Sequence, residues 1–303
     1  MSVALTATAC DSAIEPTDIL DEVDEDLSVF HEEELDAQAE MTEPQDDEFR
    51  ITYGVPDGNT HREVVWIPSL GCSGITLSER YILTAGHCLD NRLNYPANVR
   101  GSIGNIQVQY SPTGGLTSAP VTVYNGPASA SIDPNFIFQE IFPCQYSEYD
   151  FGLIQLGGDA SQFVRARWHQ VPVEPNVVQH EVVGWGQHGA QAGSPSAAGI
   201  LRMLGWMNSH GWDPNQGINL VGGSLTDPGD SGGGYFIKPG SWARILTGVH
   251  ACLVHDPWNS GADGARVATH VPWIFGESAA LGRPLSCHSS SLLGVPYLYG
   301  CSD

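Results

Sequence analysis

The sequence predicts an all-β protein, and three observations carry that expectation. It has 35 glycines and 20 prolines in 303 residues, its apolar runs are short, and its length is enough for one large all-β domain or two modest ones with an ample core. Glycine and proline between short apolar stretches read as strands and turns rather than as a helical bundle.

From the N-terminus, Met1-Ser-Val-Ala-Leu-Thr-Ala-Thr-Ala-Cys10 is small and apolar and ends on an Ala7-x-Ala9 pattern similar to a signal-peptide cleavage site. It is short and lacks a basic start, so it is read as a signal remnant. Cys10 in a degraded lipobox, and hence a lipid-anchored protein, is the alternative. Either way export is expected.

Residues 11–48 hold acidic runs such as Asp21-Glu22-Val23-Asp24-Glu25-Asp26 and Glu32-Glu33-Glu34. Self-repulsion and thin hydrophobicity argue against an autonomous fold, so 1–50 is expected to be disordered. It is read as a propeptide, with a solvated acidic linker as the alternative.

The net charge of -23 is mostly local. Residues 1–50 carry 17 acids and one base, Arg50, leaving 18 acids and 11 bases for the other 253. A mildly acidic remainder makes nucleic acid and anionic membrane surfaces poor partners. No apolar run reaches the ~18 residues of a membrane span.

Setting Cys10 aside, six cysteines remain, an even number that agrees with export. Cys72 and Cys88 flank the strand-like stretches Gly74–Leu77 and Tyr81–Leu83, and a disulfide there would hold the loop at His87 against the strand leading into it. Cys287 with Cys301 would close a short C-terminal loop, leaving Cys144 with Cys252 as a guess by exclusion. Zinc-ligand spacings are missing, so no metal and no cofactor is expected. The eleven histidines read mostly as surface or packing residues.

Peptide acyl transfer needs a nucleophile, a base, a group orienting that base, and donors for the oxyanion. Three stretches supply these parts: Thr84-Ala-Gly-His-Cys88, Tyr149-Asp150-Phe-Gly-Leu-Ile-Gln-Leu156 and Asp227-Pro-Gly-Asp-Ser-Gly-Gly-Gly234. Taken alone, each is weak, since a lone His is usually structural and Gly-Asp-Ser-Gly can be an ordinary turn. Together, in the order His, Asp, Ser and with Cys72 15 residues before His87, they resemble the chymotrypsin-like (trypsin-type) serine peptidases.

That resemblance implies His87 as general base, Asp150 as its orienting partner and Ser231 as nucleophile, with the N–H groups of Gly229 and Ser231 as the oxyanion hole. It implies two six-stranded antiparallel Greek-key barrels with a C-terminal helix. Val182-Val-Gly-Trp-Gly186 would open the second barrel, and Thr269-His-Val-Pro-Trp-Ile274 would lie in the closing helix. The peptidase domain is placed at 51–275, with 276–303 a tail that has no counterpart. An inserted loop is expected within 90–145.

Arg50-Ile51-Thr-Tyr-Gly54 resembles the family's activation junction, where cleavage frees an isoleucine amine that pairs with Asp230. The alternative makes Asp230 a turn cap and Arg50 a linker residue. Leu225 stands six residues before Ser231, where trypsin-like members carry an aspartate, so cleavage after Arg or Lys is not expected. Thr226 and His250 are similar to the pair with which glutamyl endopeptidases bind a glutamate carboxylate. A pocket for apolar or small side chains is the alternative, with Ala251 and Leu253 beside it and Leu253 narrowing its mouth. The expected protein is thus a secreted, monomeric serine endopeptidase acting on proteins or peptides and activated by another protease. Its rival is a non-catalytic homologue that keeps the fold as a binding module.

Overall fold

The computed structural model describes residues 54–137, 147–160, 162–170, 179–187, 198–212, 217–221, 226, 228–239, 244–256 and 259–303. The expected signal remnant and acidic propeptide, Arg50, Ile51, Cys144 and Leu225 lie outside these residues, as does the side chain of Leu253.

A short strand β1 (Val55–Pro56) precedes a closed barrel. The barrel comprises β2 (Val64–Ile67), β3 (Cys72–Thr76), β4 (Tyr81–Thr84), β5 (Arg100–Tyr110), β6 (Val121–Ile132) and β7 (Gly152–Leu156), in the order β2-β3-β4-β7-β6-β5. β2, β3, β4 and β7 are buried almost throughout because they serve two cores, whereas much of β5 and β6 is exposed. Val65, Ile67, Ile82 and Ile154 fill the barrel, while Val64, Trp66, Leu83 and Leu153 point to the cluster it shares with the second barrel. The interval before Asp150 accommodates a one-turn helix α1 (Asp90–Leu93) and the long β5–β6 pair, where part of the expected extra length is found.

After β8 (Trp168–His169), a second ring forms from β9 (Gln179–Gly184), β10 (Met203–Trp212), β11 (Gly217–Val221), β12 (Gly234–Ile237), β13 (Ile245–Asp256) and β14 (Asn259–Arg266). Each pairs antiparallel with its neighbours in the circuit β9-β10-β11-β14-β13-β12, and β12 returns to β9. Val182, Met207, Leu220 and Tyr235 fill it. The two six-stranded barrels and the closing helix α2 (Val267–Ala280) are those the sequence implied. Val182–Gly184 lies in the strand that opens the second barrel, and Thr269–Ile274 lies within α2.

Trp66, Phe151, Trp168, Trp185 and Phe236 meet Ile274 of α2 in the shared cluster. Fully burying a large apolar side chain contributes about 1.5–3 kcal/mol, so this seam is a main source of rigidity for anything built across it. The 276–303 segment continues α2 and then forms a hairpin, β15 (Ser286–Leu292) and β16 (Val295–Ser302), closed by the Cys287–Cys301 disulfide. Leu298 pairs with Trp168 of β8, which runs parallel to β13 at Leu246, so the tail extends the second sheet.

Candidate active site

His87 lies in a 3-10 turn, Gly86–Cys88, that follows β4. The Cys72–Cys88 disulfide ties this turn to the start of β3, as expected from the flanking positions. Asp150 precedes β7, the hydrogen-bonded neighbour of β4, so the pairing of Thr84 with Gly152 brings the two loops side by side. The Asp150 carboxylate is filled from one residue: the His87 backbone N–H donates to Oδ1 at 2.8 Å, and Nδ1 donates to Oδ2 at 2.6 Å. Gly86 permits this approach, because a Cβ there would lie 3.1 Å from Asp150 Oδ1.

Asp150 is nearly buried, whereas the imidazole keeps 26% of its surface exposed. Burial works against protonation of His87, but the Asp150 charge and hydrogen bond outweigh it and hold the imidazole above its ordinary value of 6.5. Its other nitrogen, Nε2, has only the Cys88 Sγ at 3.7 Å nearby among the described residues.

The Asp150 loop is braced from behind. Phe151 stacks on His270 of α2, with ring centroids 4.3 Å apart. His270 Nδ1 donates to the Arg266 carbonyl at 2.7 Å, and Nε2 lies 3.3 Å from the Asp133 carboxylate.

Ser231 arrives from the second barrel in the turn before β12. Across the seam, the Ser73 backbone N–H donates to the Ser231 carbonyl at 2.8 Å, and Ser73 Oγ donates to the Gly229 carbonyl at 2.8 Å. Ser73 Oγ is itself fixed by the Trp185 N–H at 2.9 Å. On the other side, Gly232 N–H donates to the His250 carbonyl and His250 N–H to the Gly233 carbonyl, both at 2.8 Å.

Gly229 has φ +101° and Gly232 φ +81°, conformations that disfavour any side chain. At Gly232 a Cβ would also meet the Ser73 carbonyl at 2.3 Å. With the carbonyls so anchored, the N–H groups of Gly229 and Ser231 make no hydrogen bond among the described residues. Ser231 Oγ likewise makes none to His87 Nε2 among the described residues. In peptidases that bond commonly tightens only with substrate in place.

Asp230 is buried, and its Oδ1 accepts the Gly186 N–H at 2.7 Å. Thr226 and His250 are both buried, and Thr226 Oγ1 has no partner among the described residues. Burial drives the His250 imidazole down to about 3, with the nearby His87 adding to the shift, so the ring is neutral. His250 Nδ1 lies 2.7 Å from the Tyr235 hydroxyl, which also lies 3.0 Å from the Asp263 carbonyl. Ala251 is buried next to it on β13, and Cys252 is disulfide-bonded. The cluster of Cys72, His87 and Cys88 has ligand-like proximity, but both sulfurs are spent in the disulfide.

Ser73, Tyr235 and Asp263 are the site residues that sequence reasoning missed. Ser73 had one available signal, its position next to Cys72. Tyr235 lies close to Ser231 in sequence but acts through a strand pairing.

A family model described as trypsin matches residues 58–274. The chain belongs to the trypsin family, whose domains carry the serine-protease fold. Among solved structures it is similar to a mutant of human heparin binding protein. The TM-score is 0.51 at 15% identity, over 76% of this chain and 97% of the other, a likeness that shows the fold. No curated protein sequence matches the chain. Among the described residues no helix is long and apolar enough to cross a membrane.

Proposed function

We propose that this chain is a secreted serine endopeptidase in which Ser231 attacks the peptide carbonyl, His87 takes and returns the proton, and Asp150 holds the His87 tautomer. The observation that supports this most is the double donation of His87 to the Asp150 carboxylate. With Nδ1–H committed, Nε2 is left as the basic atom on the exposed side of the ring. The uncommitted N–H groups of Gly229 and Ser231 are the donors an oxyanion needs, and they cost no reorganisation because Ser73 already holds their loop.

For the residue before the cut, Thr226 and His250 favour an acidic side chain. A buried hydroxyl without a partner and a neutral imidazole are donors for a carboxylate. Tyr235 has one hydroxyl proton. When it serves His250 Nδ1 rather than the Asp263 carbonyl, Nε2 carries a hydrogen to donate, so an incoming carboxylate selects that arrangement.

Activation would follow cleavage after Arg50, with the Ile51 amine pairing to the buried Asp230. An Arg50→Gln chain is then inactive until cut elsewhere, and full activity without any cut removes the switch. Hydrolysis of a peptide library varied only before the scissile bond, by wild type and by Ser231→Ala, tests the main reading. Cleavage after Glu by wild type alone supports it, and preference for Phe or Leu moves the pocket to the apolar alternative.

A further inference from the structure

A cavity of about 480 Å³ lies outside the catalytic groups, between the segment joining the barrels, the 60–63 turn and the C-terminal hairpin. Arg165, Arg167 and Arg244 all line it, although the whole chain has only 12 lysines and arginines. Two of the three are partly engaged. Arg165 Nη2 donates to Glu79 at 2.7 Å, and Arg244 donates through Nε and Nη2 to Glu181 at 2.5 and 3.3 Å. These bonds orient the two guanidinium groups and leave Nε and Nη1 of Arg165 and Nη1 of Arg244 without a partner among the described residues.

Arg167 is exposed and makes no side-chain bond among the described residues. The acidic groups facing this region are Glu79, Glu181 and Glu63. The first two each neutralise one arginine. Glu63 is buried in the wall, where desolvation disfavours its charged form. Tyr299 and Thr60 add hydroxyls at the rim.

We propose that this cavity is a binding site for a tetrahedral oxyanion, a phosphate or sulfate group. Guanidinium forks suit such a group because several N–H vectors converge on its oxygens, and two arginines pre-set by carboxylates lose little freedom on binding. The group is either a free ion or one carried on a larger molecule.

The test is calorimetric titration of the purified protein with inorganic sulfate, inorganic phosphate and phenyl phosphate, with sodium chloride holding ionic strength constant. Saturable binding that weakens about tenfold in Arg167→Gln and again in Arg165→Gln, with peptidase activity unchanged in Arg167→Gln, is the expected result. Binding of phenyl phosphate as well as phosphate assigns the site to a carried group, and phosphate or sulfate alone assigns it to a free ion. Arg167 is exposed, so its variant folds. No saturable binding beyond chloride, or equal binding in Arg167→Gln, overturns the proposal.

Discussion

The molecule makes the same local arrangement twice, in two places that differ in what lies beyond the ring. At His87, the backbone N–H and Nδ1 both donate to Asp150, at 2.8 and 2.6 Å. At His61 the backbone N–H and Nδ1 both donate to Asp57, at 3.0 and 2.5 Å. The difference is at Nε2. In His61 it lies 3.1 Å from the Glu181 carboxylate, so both ring nitrogens face carboxylates, which favour the protonated ring, and the ring has no exposed surface. In His87 it faces no acceptor among the described residues, and a quarter of the ring is open. A His–Asp pair does not by itself make a base; the role proposed for His87 rests on its uncommitted, reachable nitrogen.

Around His61 the charges are closed off. Asp57 also accepts from Arg202 Nε at 2.7 Å, and the remaining Arg202 donors reach the carbonyls of Gly58, Val64 and Ser111. Such a network fixes the chain just after β1 to the second barrel, and breaking one member leaves a buried charge uncompensated.

The largest contrast lies in the two histidines' variants. His87→Ala or Ser231→Ala should lower kcat/KM by about 10⁴ or more with the melting temperature little changed. His61→Ala should leave the chemical step near wild type per folded molecule. Next, Arg202→Met should cost about 3–5 kcal/mol in a denaturant titration. Equal activity losses at 61 and 87 would break the comparison.

The pH dependences separate the pairs further. In the proposed mechanism deprotonated His87 is the working form, and its value is raised above 6.5, so kcat/KM should rise with pH through a midpoint above 6.5. For His61, burial opposes protonation, but Asp57 and Glu181 raise the folded value, so its stabilisation is full below 6.5 and fades as pH rises through that folded value. For Glu181, burial raises and the His61 and Arg244 partners more than offset it. Its stabilisation is present above 4.5 and fades as pH falls. The network therefore contributes most between about pH 4.5 and 6.5, which chemical denaturation across pH measures.

The smallest effect is at Asp263, held near 6 by burial and by Glu148. Its folded value is raised, so stability is lost as pH climbs from 3.8 to about 6. Asp263→Asn should recover about 1–2 kcal/mol at pH 8, after allowance for solvent screening.

Much of the candidate site was legible because its signals are local. His87, Asp150 and Ser231 each sit in a short motif, and Cys72 and Cys88 flank their strands. The His61 network was not. Asp57 and His61 are four apart, but Glu181, Arg202 and Arg244 reach them only through strand pairings of the second barrel, and a histidine without a motif reads as packing. Ser73 was hidden for the same reason: its hydroxyl acts on Gly229, 156 residues away. The 276–303 tail was legible as a disulfide loop. That it would extend the second sheet through β8 depended on an edge that no local pattern marks.

The most direct test is to react the purified mature protein with a fluorophosphonate and map the adduct in wild type, His87→Ala and His61→Gln. The account predicts one adduct, on Ser231, abolished by the change at 87 and retained in the folded fraction of the variant at 61. An adduct elsewhere, none at all, or one that survives without His87 would contradict it.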